Sequence, residues 1–198
     1  IIKYQNKKYK LFLKDQKKTN ILNLLCCFAV LNILNLDHKE IAKKNKFFES
    51  LEGRGKFYRI KRYNKIFNLI DESYNANPSS TSTAIKSFSK IKTKNRKYFI
   101  FGDMLELGKK TKDYHKLISQ EINSSDVDKT FTYGKNTLTT FKYLKKDKKG
   151  NILQHLSDFD FLMKDFIQNN DYIMIKGSNA SGVNKISRSF ILGNKNAL

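Results

Sequence analysis

The chain has 198 residues and is strongly basic, with 39 lysines and arginines against 18 acidic residues and a net charge of +21 at pH 7. This length accommodates one large domain, or one domain and part of another. Lysine is scattered along the whole chain, whereas arginine, whose planar fork suits phosphates and bases, is rare. The composition therefore favours a solvated basic surface and no nucleic-acid partner; a nucleic-acid-binding basic domain stays open as an alternative.

The most apolar stretch, residues 21–36, bears on the compartment of the protein. It contains Cys26 and Cys27, which take part in no metal-ligand spacing and are interpreted as core thiols of a reduced compartment. Asparagines interrupt the stretch, and it is shorter than the ~20 residues of a membrane span. We expect a buried helix, no membrane partner and, with no signal pattern before it, a cytoplasmic protein.

The N-terminal quarter is predicted to be mainly helical. Residues 1–14 alternate loosely, which predicts two short antiparallel strands, and the next segments predict helices at 19–36 and 37–48. The sequence GRG at 53–55 then interrupts the pattern. We expect a domain boundary or hinge there, because glycine frees the backbone and the periodicity changes from helical to alternating.

Beyond the GRG sequence, strand patterns alternate with helix patterns. The predicted strands are 56–60, 66–70, 98–101, 129–132, 152–154 and 172–175. The predicted helices are 79–91, 111–123, 135–145, 159–168 and 182–191. This alternation predicts an α/β fold with a mostly parallel sheet, flanking helices and right-handed crossovers.

Polar loops after three of the predicted strands form the candidate site. They read DESYNANP at 71–78, GDMLELG at 102–108 and KGSNASG at 176–182. In open α/β sheets ligands bind at the carboxyl ends of the strands, so these loops should meet on one rim. Taken singly, their polar residues could merely satisfy turns or helix starts; their convergence predicts a site for a polar ligand.

Two residues near these loops have structural interpretations. Asn77 suits the N-cap of a helix and Pro78 its first position, since the cap accepts an orphan N–H and proline lacks one. The N–H groups of such a first turn attract anions. His115 falls inside a predicted helix and is interpreted as a surface or packing residue rather than a base.

These motifs resemble those of the C-terminal domain of the Mur ligases. The matching series is GRG, DESYNANP, FGDMLELG, His115 and IMIKGS, in an order and spacing that fit over nearly the full chain. The combination of SYNANP with GDMLELG resembles the motifs of one branch of the family, the branch that adds D-alanyl-D-alanine to UDP-N-acetylmuramoyl-tripeptide. The resemblance implies that residues 1–50 are the C-terminal, helical remnant of a central ATP-binding domain, and that 51–198 form a Rossmann-like C-terminal domain.

The resemblance also implies an activity, that of an ATP-dependent amide-forming ligase of peptidoglycan precursor synthesis. The family phosphorylates a peptide carboxylate with ATP and lets an amine displace phosphate from the acyl phosphate. Its P-loop, GTNGKT-like, and its Mg²⁺-binding acids lie upstream, and no such loop occurs in these residues. We therefore expect the intact protein to be a monomeric enzyme that uses ATP and Mg²⁺. We expect these 198 residues by themselves to be inactive. A non-catalytic Rossmann-like binding domain is the other open alternative.

The resemblance assigns roles to individual residues. Arg54 matches an arginine that reaches the ATP phosphates in the closed form, and we expect it to be catalytic. The implied ATP contacts are Asn20, Asn23, Arg54, Asp71, Tyr74 and Asn75. The implied substrate contacts are Asn75, Asn77, Asp103, Glu106, Lys176 and Ser178. Departures from the family pattern are Thr19 in place of a histidine, Glu72 in place of an aspartate, and 179–182 in place of an arginine-containing stretch.

Overall fold

The computed structural model describes residues 2–4, 7–9, 18–37 and 50–192, in two compact units, Ile1–Ser50 and Leu51–Leu198. In the first unit, β1 (Ile2–Tyr4) and β2 (Lys7–Tyr9) pair antiparallel, and α1 spans Lys18–Ile33. The predicted hairpin and first helix are confirmed in this part. The predicted second helix, 37–48, falls almost wholly on residues outside the described ranges.

Helix α1 is largely exposed, contrary to the prediction of a buried helix. Phe28 is the buried residue among the described side chains of α1, and the Tyr9 ring packs edge-on against it with 4.9 Å between ring centroids. Cys26 and Cys27 are exposed. The prediction that these are core thiols is wrong, because the described residues cover only the side of α1 that carries Phe28, although a helix that is apolar on all sides is ordinarily buried. None of the helices in the described ranges has the length and apolarity needed to cross a bilayer.

The second unit is a six-stranded sheet with helices on both faces. Its strands are β3 (Lys56–Arg62), β4 (Lys65–Glu72), β5 (Lys97–Gly102), β6 (Lys129–Tyr133), β7 (Lys149–Leu153) and β8 (Tyr172–Lys176). Its α-helices are α2 (Pro78–Ser89), α3 (Thr111–Asn123), α4 (Thr137–Tyr143), α5 (Leu156–Phe166) and α6 (Asn184–Leu192). The strand order is β3-β4-β8-β5-β6-β7, and every pair is parallel except β3 with β4. The predicted α/β fold is confirmed.

The central strand β5 divides the core between the two faces of the sheet. Tyr98 and Ile100 pack on the face covered by α5 and α6, and Phe99 and Phe101 pack on the face covered by α2 and α3. All four side chains are at most 1% exposed. A strand buried on both faces must be apolar throughout, as the YFIF sequence is. The carboxyl ends of the central strands are therefore held by packing from both sides.

His115 on α3 is a buried packing residue that joins three elements. Its Nε2 accepts the Met104 N–H at 3.3 Å, and its Nδ1 lies 3.2 Å from the Thr140 hydroxyl on α4. The Thr140 hydroxyl donates to the His115 carbonyl at 2.9 Å, so Nδ1–H donates to the Thr140 oxygen. The Phe101 ring lies 5.5 Å away, centroid to centroid. This network holds the loop after β5 against α3 and α4 and requires a neutral imidazole.

We predict that His115 makes the stability of the protein fall in mild acid. Burial lowers the pKa of His115 below its ordinary value of 6.5, so the unfolded chain takes up a proton at higher pH than the folded chain. Its contribution is present above pH 6.5 and is lost as the pH falls toward the lower folded pKa. The unfolding free energy, measured with urea, should fall less between about pH 7.5 and about pH 5.5 in His115→Gln than in the unmodified protein.

Equal pH dependence in the unmodified protein and in His115→Gln would show that His115 does not titrate differently in the two states.

Candidate functional site

Three loops meet at the carboxyl edge of the sheet because β8 lies between β4 and β5. In the register of the strands, Lys176 of β8 is opposite Glu72 of β4 on one side and Phe101 of β5 on the other. Main-chain hydrogen bonds then join the loops, from the Asn179 N–H to the Tyr74 carbonyl at 3.1 Å and from the Ser178 N–H to the Asp103 carbonyl at 2.9 Å. The geometry thus brings together the three loops singled out in the sequence.

The loops after β5 and β8 touch at two glycines. A Cβ atom on Gly177 would lie 2.8 Å from the Gly102 Cα and 2.7 Å from the Val183 side chain, and one on Gly102 would lie 2.6 Å from the Val183 Cβ. Real side chains do not fit at such distances. Glycine at both positions therefore allows the two loops to pack backbone against backbone.

The Asp71 carboxylate organises the loop after β4 and the GRG sequence before β3. Its Oδ2 accepts the Gly53 N–H at 2.9 Å, and its Oδ1 accepts the Ser73 hydroxyl at 2.6 Å. Asp71 is 4% exposed. Its carbonyl also accepts the Gly55 N–H at 2.7 Å. The role of Asp71 as an ATP contact stays a prediction.

Arg54 and Tyr74, both predicted ATP contacts, form an exposed pair at the rim. The guanidinium carbon of Arg54 lies 4.1 Å from the centroid of the Tyr74 ring, a cation–π geometry. The backbones are joined as well, because the Tyr74 N–H donates to the Gly53 carbonyl at 3.1 Å. Gly53 has a φ of +71°, and a Cβ there would lie 2.8 Å from the Tyr74 Cβ. A positive charge and an aromatic face are thus presented together, which suits an anionic, planar ligand.

Lys176 is buried at the end of β8 and bonds to the loop after β4. Its side chain is 2% exposed; its Nζ donates to the Asn75 carbonyl at 3.0 Å and lies 3.6 Å from a Glu72 carboxylate oxygen. Burial lowers the pKa of Lys176, and the charge of Glu72 opposes that shift. The Asn75 side chain is exposed, and its Oδ1 accepts the Ala76 N–H at 2.8 Å.

Asn77 caps α2, as the sequence predicted. Its Oδ1 accepts the Ser80 N–H at 2.8 Å, and the Ser80 hydroxyl accepts the Asn77 N–H at 3.2 Å, while Pro78 occupies the first turn. This is a capping box built with serine in the third helical position. The oxygen of the Asn77 amide is therefore committed to the helix, and its exposed Nδ2 group is the part suited to a substrate.

The Asp103 carboxylate holds the loop before α4. Its Oδ1 accepts the N–H groups of Thr137 at 2.9 Å and Asn136 at 3.0 Å, and its Oδ2 accepts the Asn136 side-chain amide at 3.1 Å. Asp103 is 7% exposed, and a Cβ on Gly134 would lie 2.5 Å from its carboxyl carbon. The sequence marks this loop by the glycine of YGKNT after a strand pattern. It does not show that Asp103 bonds to the residues that follow that glycine.

The remaining two predicted substrate residues of this unit differ in exposure. Ser178 is 7% exposed, and its hydroxyl oxygen accepts the Leu105 N–H at 3.0 Å, so it ties the loop after β8 to the loop after β5. Glu106 is exposed and adopts a φ of +62°, which a non-glycine residue rarely takes. Its carboxylate is the acidic group that the rim offers to a ligand in this loop.

Asn20 and Asn23 belong to the first unit. Both lie on α1, three residues apart and hence on one side of the helix, with Asn20 half-buried and Asn23 exposed. Within the described ranges, no group of three or more histidine, cysteine or acidic side chains could hold a metal ion.

Comparison with known proteins identifies the family. The family model described as "Mur ligase, glutamate ligase domain" matches residues 55–179. The UDP-N-acetylmuramoyl-tripeptide–D-alanyl-D-alanine ligase of Bacillus subtilis is 25% identical over 177 residues, which are 88% of this chain and 38% of that protein. The ligase of the same name from Buchnera aphidicola subsp. Baizongia pistaciae is 35% identical over 116 residues, 59% of this chain and 24% of that protein. The chain thus spans 24% to 38% of the length of these two relatives.

Solved structures show the same fold. MurF from Acinetobacter baumannii superposes with a TM-score of 0.75 at 19% identity, over 92% of this chain and 40% of that chain. MurF ligase from Thermotoga maritima in complex with ADP superposes with a TM-score of 0.67 at 19% identity, over 86% and 37%. The resemblance drawn from the motifs is confirmed, and because the family model covers more than half of its residues, the chain belongs to the Mur ligase family.

Proposed function

We propose that this chain is the C-terminal part of an ATP-dependent ligase that adds D-alanyl-D-alanine to UDP-N-acetylmuramoyl-tripeptide in peptidoglycan precursor synthesis. The observation that carries the proposal is the meeting of the DESYNANP, GDMLELG and KGS loops on one rim. The names of the curated relatives support it. In this proposal residues 1–50 are the tail of a central ATP-binding domain, 51–198 are the C-terminal domain, and the intact enzyme is a cytoplasmic monomer.

The proposed reaction has two steps. ATP transfers its terminal phosphoryl group to the peptide carboxylate, which gives an acyl phosphate and ADP. The amine of the dipeptide then attacks the acyl carbon, and the tetrahedral intermediate collapses to the amide as phosphate leaves and the amine nitrogen loses a proton. Arg54 would contact the ATP phosphates when the domains close, and its fixed charge would stabilise the developing negative charge.

The rim offers groups suited to each substrate. For ATP, the exposed Arg54–Tyr74 pair combines a cation with an aromatic face, and Asn20, Asn23, Asp71 and Asn75 complete the proposed contacts. The described residues do not form a Mg²⁺ site, and we propose that the magnesium ligands lie in the part of the ligase upstream of this chain.

For the dipeptide, the proposed contacts are on the three loops. The exposed Glu106 suits the amino group of the dipeptide, and the exposed amides of Asn75 and Asn77 at the start of α2 suit its polar backbone and carboxylate. Asp103, Lys176 and Ser178, the other substrate residues that the resemblance implies, have buried side chains. We propose that they support the surface that the dipeptide contacts.

Replacement of Arg54 tests the catalytic role proposed for it. Arg54→Ala in the full-length enzyme should lower kcat about 10- to 100-fold, because one fixed charge on the phosphates is lost. Arg59→Ala, which changes an exposed arginine on β3, is the control and should leave kcat unaltered. Steady-state phosphate release measures both, and an unaltered kcat for Arg54→Ala would rule out the role.

Asn77 offers a test that separates capping from substrate binding. Asn77→Ala should lower the unfolding free energy by about 1 kcal/mol through loss of the cap and should raise the KM for the dipeptide. Asn77→Asp keeps the accepting oxygen and removes the amide donor, so stability should be retained while the KM still rises. Thermal unfolding and dipeptide titrations measure the two effects, and an unaltered KM in both variants would leave Asn77 as a cap alone.

The 198-residue chain by itself should be inactive. It has no P-loop, and without one the charge on the transferred phosphoryl group is not stabilised. A phosphate-release assay with ATP, UDP-N-acetylmuramoyl-tripeptide and D-alanyl-D-alanine should give only background, while the full-length protein gives turnover. Turnover by the isolated chain would contradict this expectation.

A further inference from the structure

Two buried lysines of the second unit bond to main-chain carbonyls at opposite ends of the sheet. Lys97, 5% exposed at the start of β5, donates to the Ser89 carbonyl at 2.8 Å. Lys176, 2% exposed at the end of β8, donates to the Asn75 carbonyl at 3.0 Å. A buried ammonium group is costly, so each needs a compensating contact. Lys97 bonds to the last residue of α2, and the helix dipole favours a cation at that end of a helix. Lys176 bonds instead to a carbonyl of a loop.

Lys176 reaches the part of the loop that faces the rim. The Asn75 carbonyl, to which it donates, follows Tyr74 directly, and the Tyr74 carbonyl accepts the Asn179 N–H at 3.1 Å. Two successive carbonyls of this loop are therefore held by the end of β8 and the residues after it. The exposed side chains of Tyr74 and Asn75 point outward from a backbone fixed in this way.

Burial limits what Lys176 itself can contact. With 2% of its side chain exposed, its ammonium group is covered, and Glu72, 3.6 Å away, compensates its charge. Glu72 retains 30% exposure, so its carboxylate stays hydrated if the lysine is replaced. Removal of the ammonium group alone would thus free the Asn75 carbonyl without stranding a fully buried charge.

We propose that Lys176 is a positioning residue for the dipeptide substrate, which it affects by holding the Asn75 carbonyl and hence the Tyr74–Asn75 segment. This inference rests on the proposed function for the identity of the substrate. Lys176 fixes the direction in which the Asn75 side chain meets the dipeptide and does not touch the dipeptide itself.

The test compares two matched variants of the full-length protein. Lys176→Met and Lys97→Met each remove a buried ammonium group that is bonded to a carbonyl, at opposite edges of the sheet. Lys176→Met should raise the KM for D-alanyl-D-alanine about tenfold, and it should also raise the KM for ATP, because Tyr74 and Asn75 are among the proposed ATP contacts. Lys97→Met should leave both KM values within about twofold. An unchanged dipeptide KM in Lys176→Met, or an equal rise in Lys97→Met, would overturn the proposal.

Hydrogen exchange gives a readout that does not need activity. Peptides covering 73–77 and 177–181 should exchange faster in Lys176→Met than in the unmodified full-length protein or in Lys97→Met. A raised dipeptide KM with unchanged exchange would make Lys176 a direct contact and would also overturn the proposal. If the full-length protein forms no amide, the proposed function fails, and the exchange rates alone decide whether Lys176 holds the loop.

A second variant covers the case in which Lys176→Met does not fold. Glu72→Gln keeps the size of the partly exposed side chain and removes the charge that compensates the ammonium group. The dipeptide KM and the exchange of 73–77 should both rise, by less than in Lys176→Met. No change in either measurement would overturn the proposal.

Discussion

The pairing of β8 between β4 and β5 is the constraint on which the site depends. These three strands are parallel and adjacent, although β4 and β8 are separated by about a hundred residues of sequence, as the Glu72 and Lys176 positions show. Burial of both faces fixes their register, since a slip by one residue would turn every core side chain to the wrong face. The strand ends fix where the loops that follow them begin, so the convergence of the loops is a consequence of core packing.

Buried carboxylates then fix the shape of the loops. Asp71 and Asp103 accept N–H and hydroxyl groups from neighbouring segments, and both are almost fully covered. Hydrogen bonds to a charged acceptor are stronger than those between neutral groups, so these two residues order the rim before any ligand arrives. Exposed groups such as Arg54 and Glu106 lie on the loops that these two carboxylates order. A rim prepared in this way avoids part of the entropy cost of ligand binding.

The fold and the convergence of the three loops could be predicted from the sequence because both depend on local patterns. Apolar strands, the Asn77 cap and the polar loops each leave a short signal, and the topology rule for ligand sites in α/β sheets does the rest. The sequence could not predict which polar residues hold the loops and which are exposed to a ligand. Whether an acid such as Asp103 faces a ligand or a neighbouring loop depends on contacts over more than thirty residues, as with Thr137. Exposure of α1 could not be predicted, because a helix that is apolar on all sides is ordinarily buried.

The bonds of Gly53 and Gly55 have a consequence for where the chain can pivot. Gly53 donates to Asp71 and accepts from Tyr74, and Gly55 donates to the Asp71 carbonyl. Rotation at these glycines would break three hydrogen bonds worth about 0.5–1.5 kcal/mol each, in addition to the Arg54–Tyr74 contact. A hinge at 53–55, as the glycines suggested, would have to break these bonds, whereas a pivot before Gly53 would leave them intact. With these bonds in place, Arg54 keeps a fixed position on the second unit.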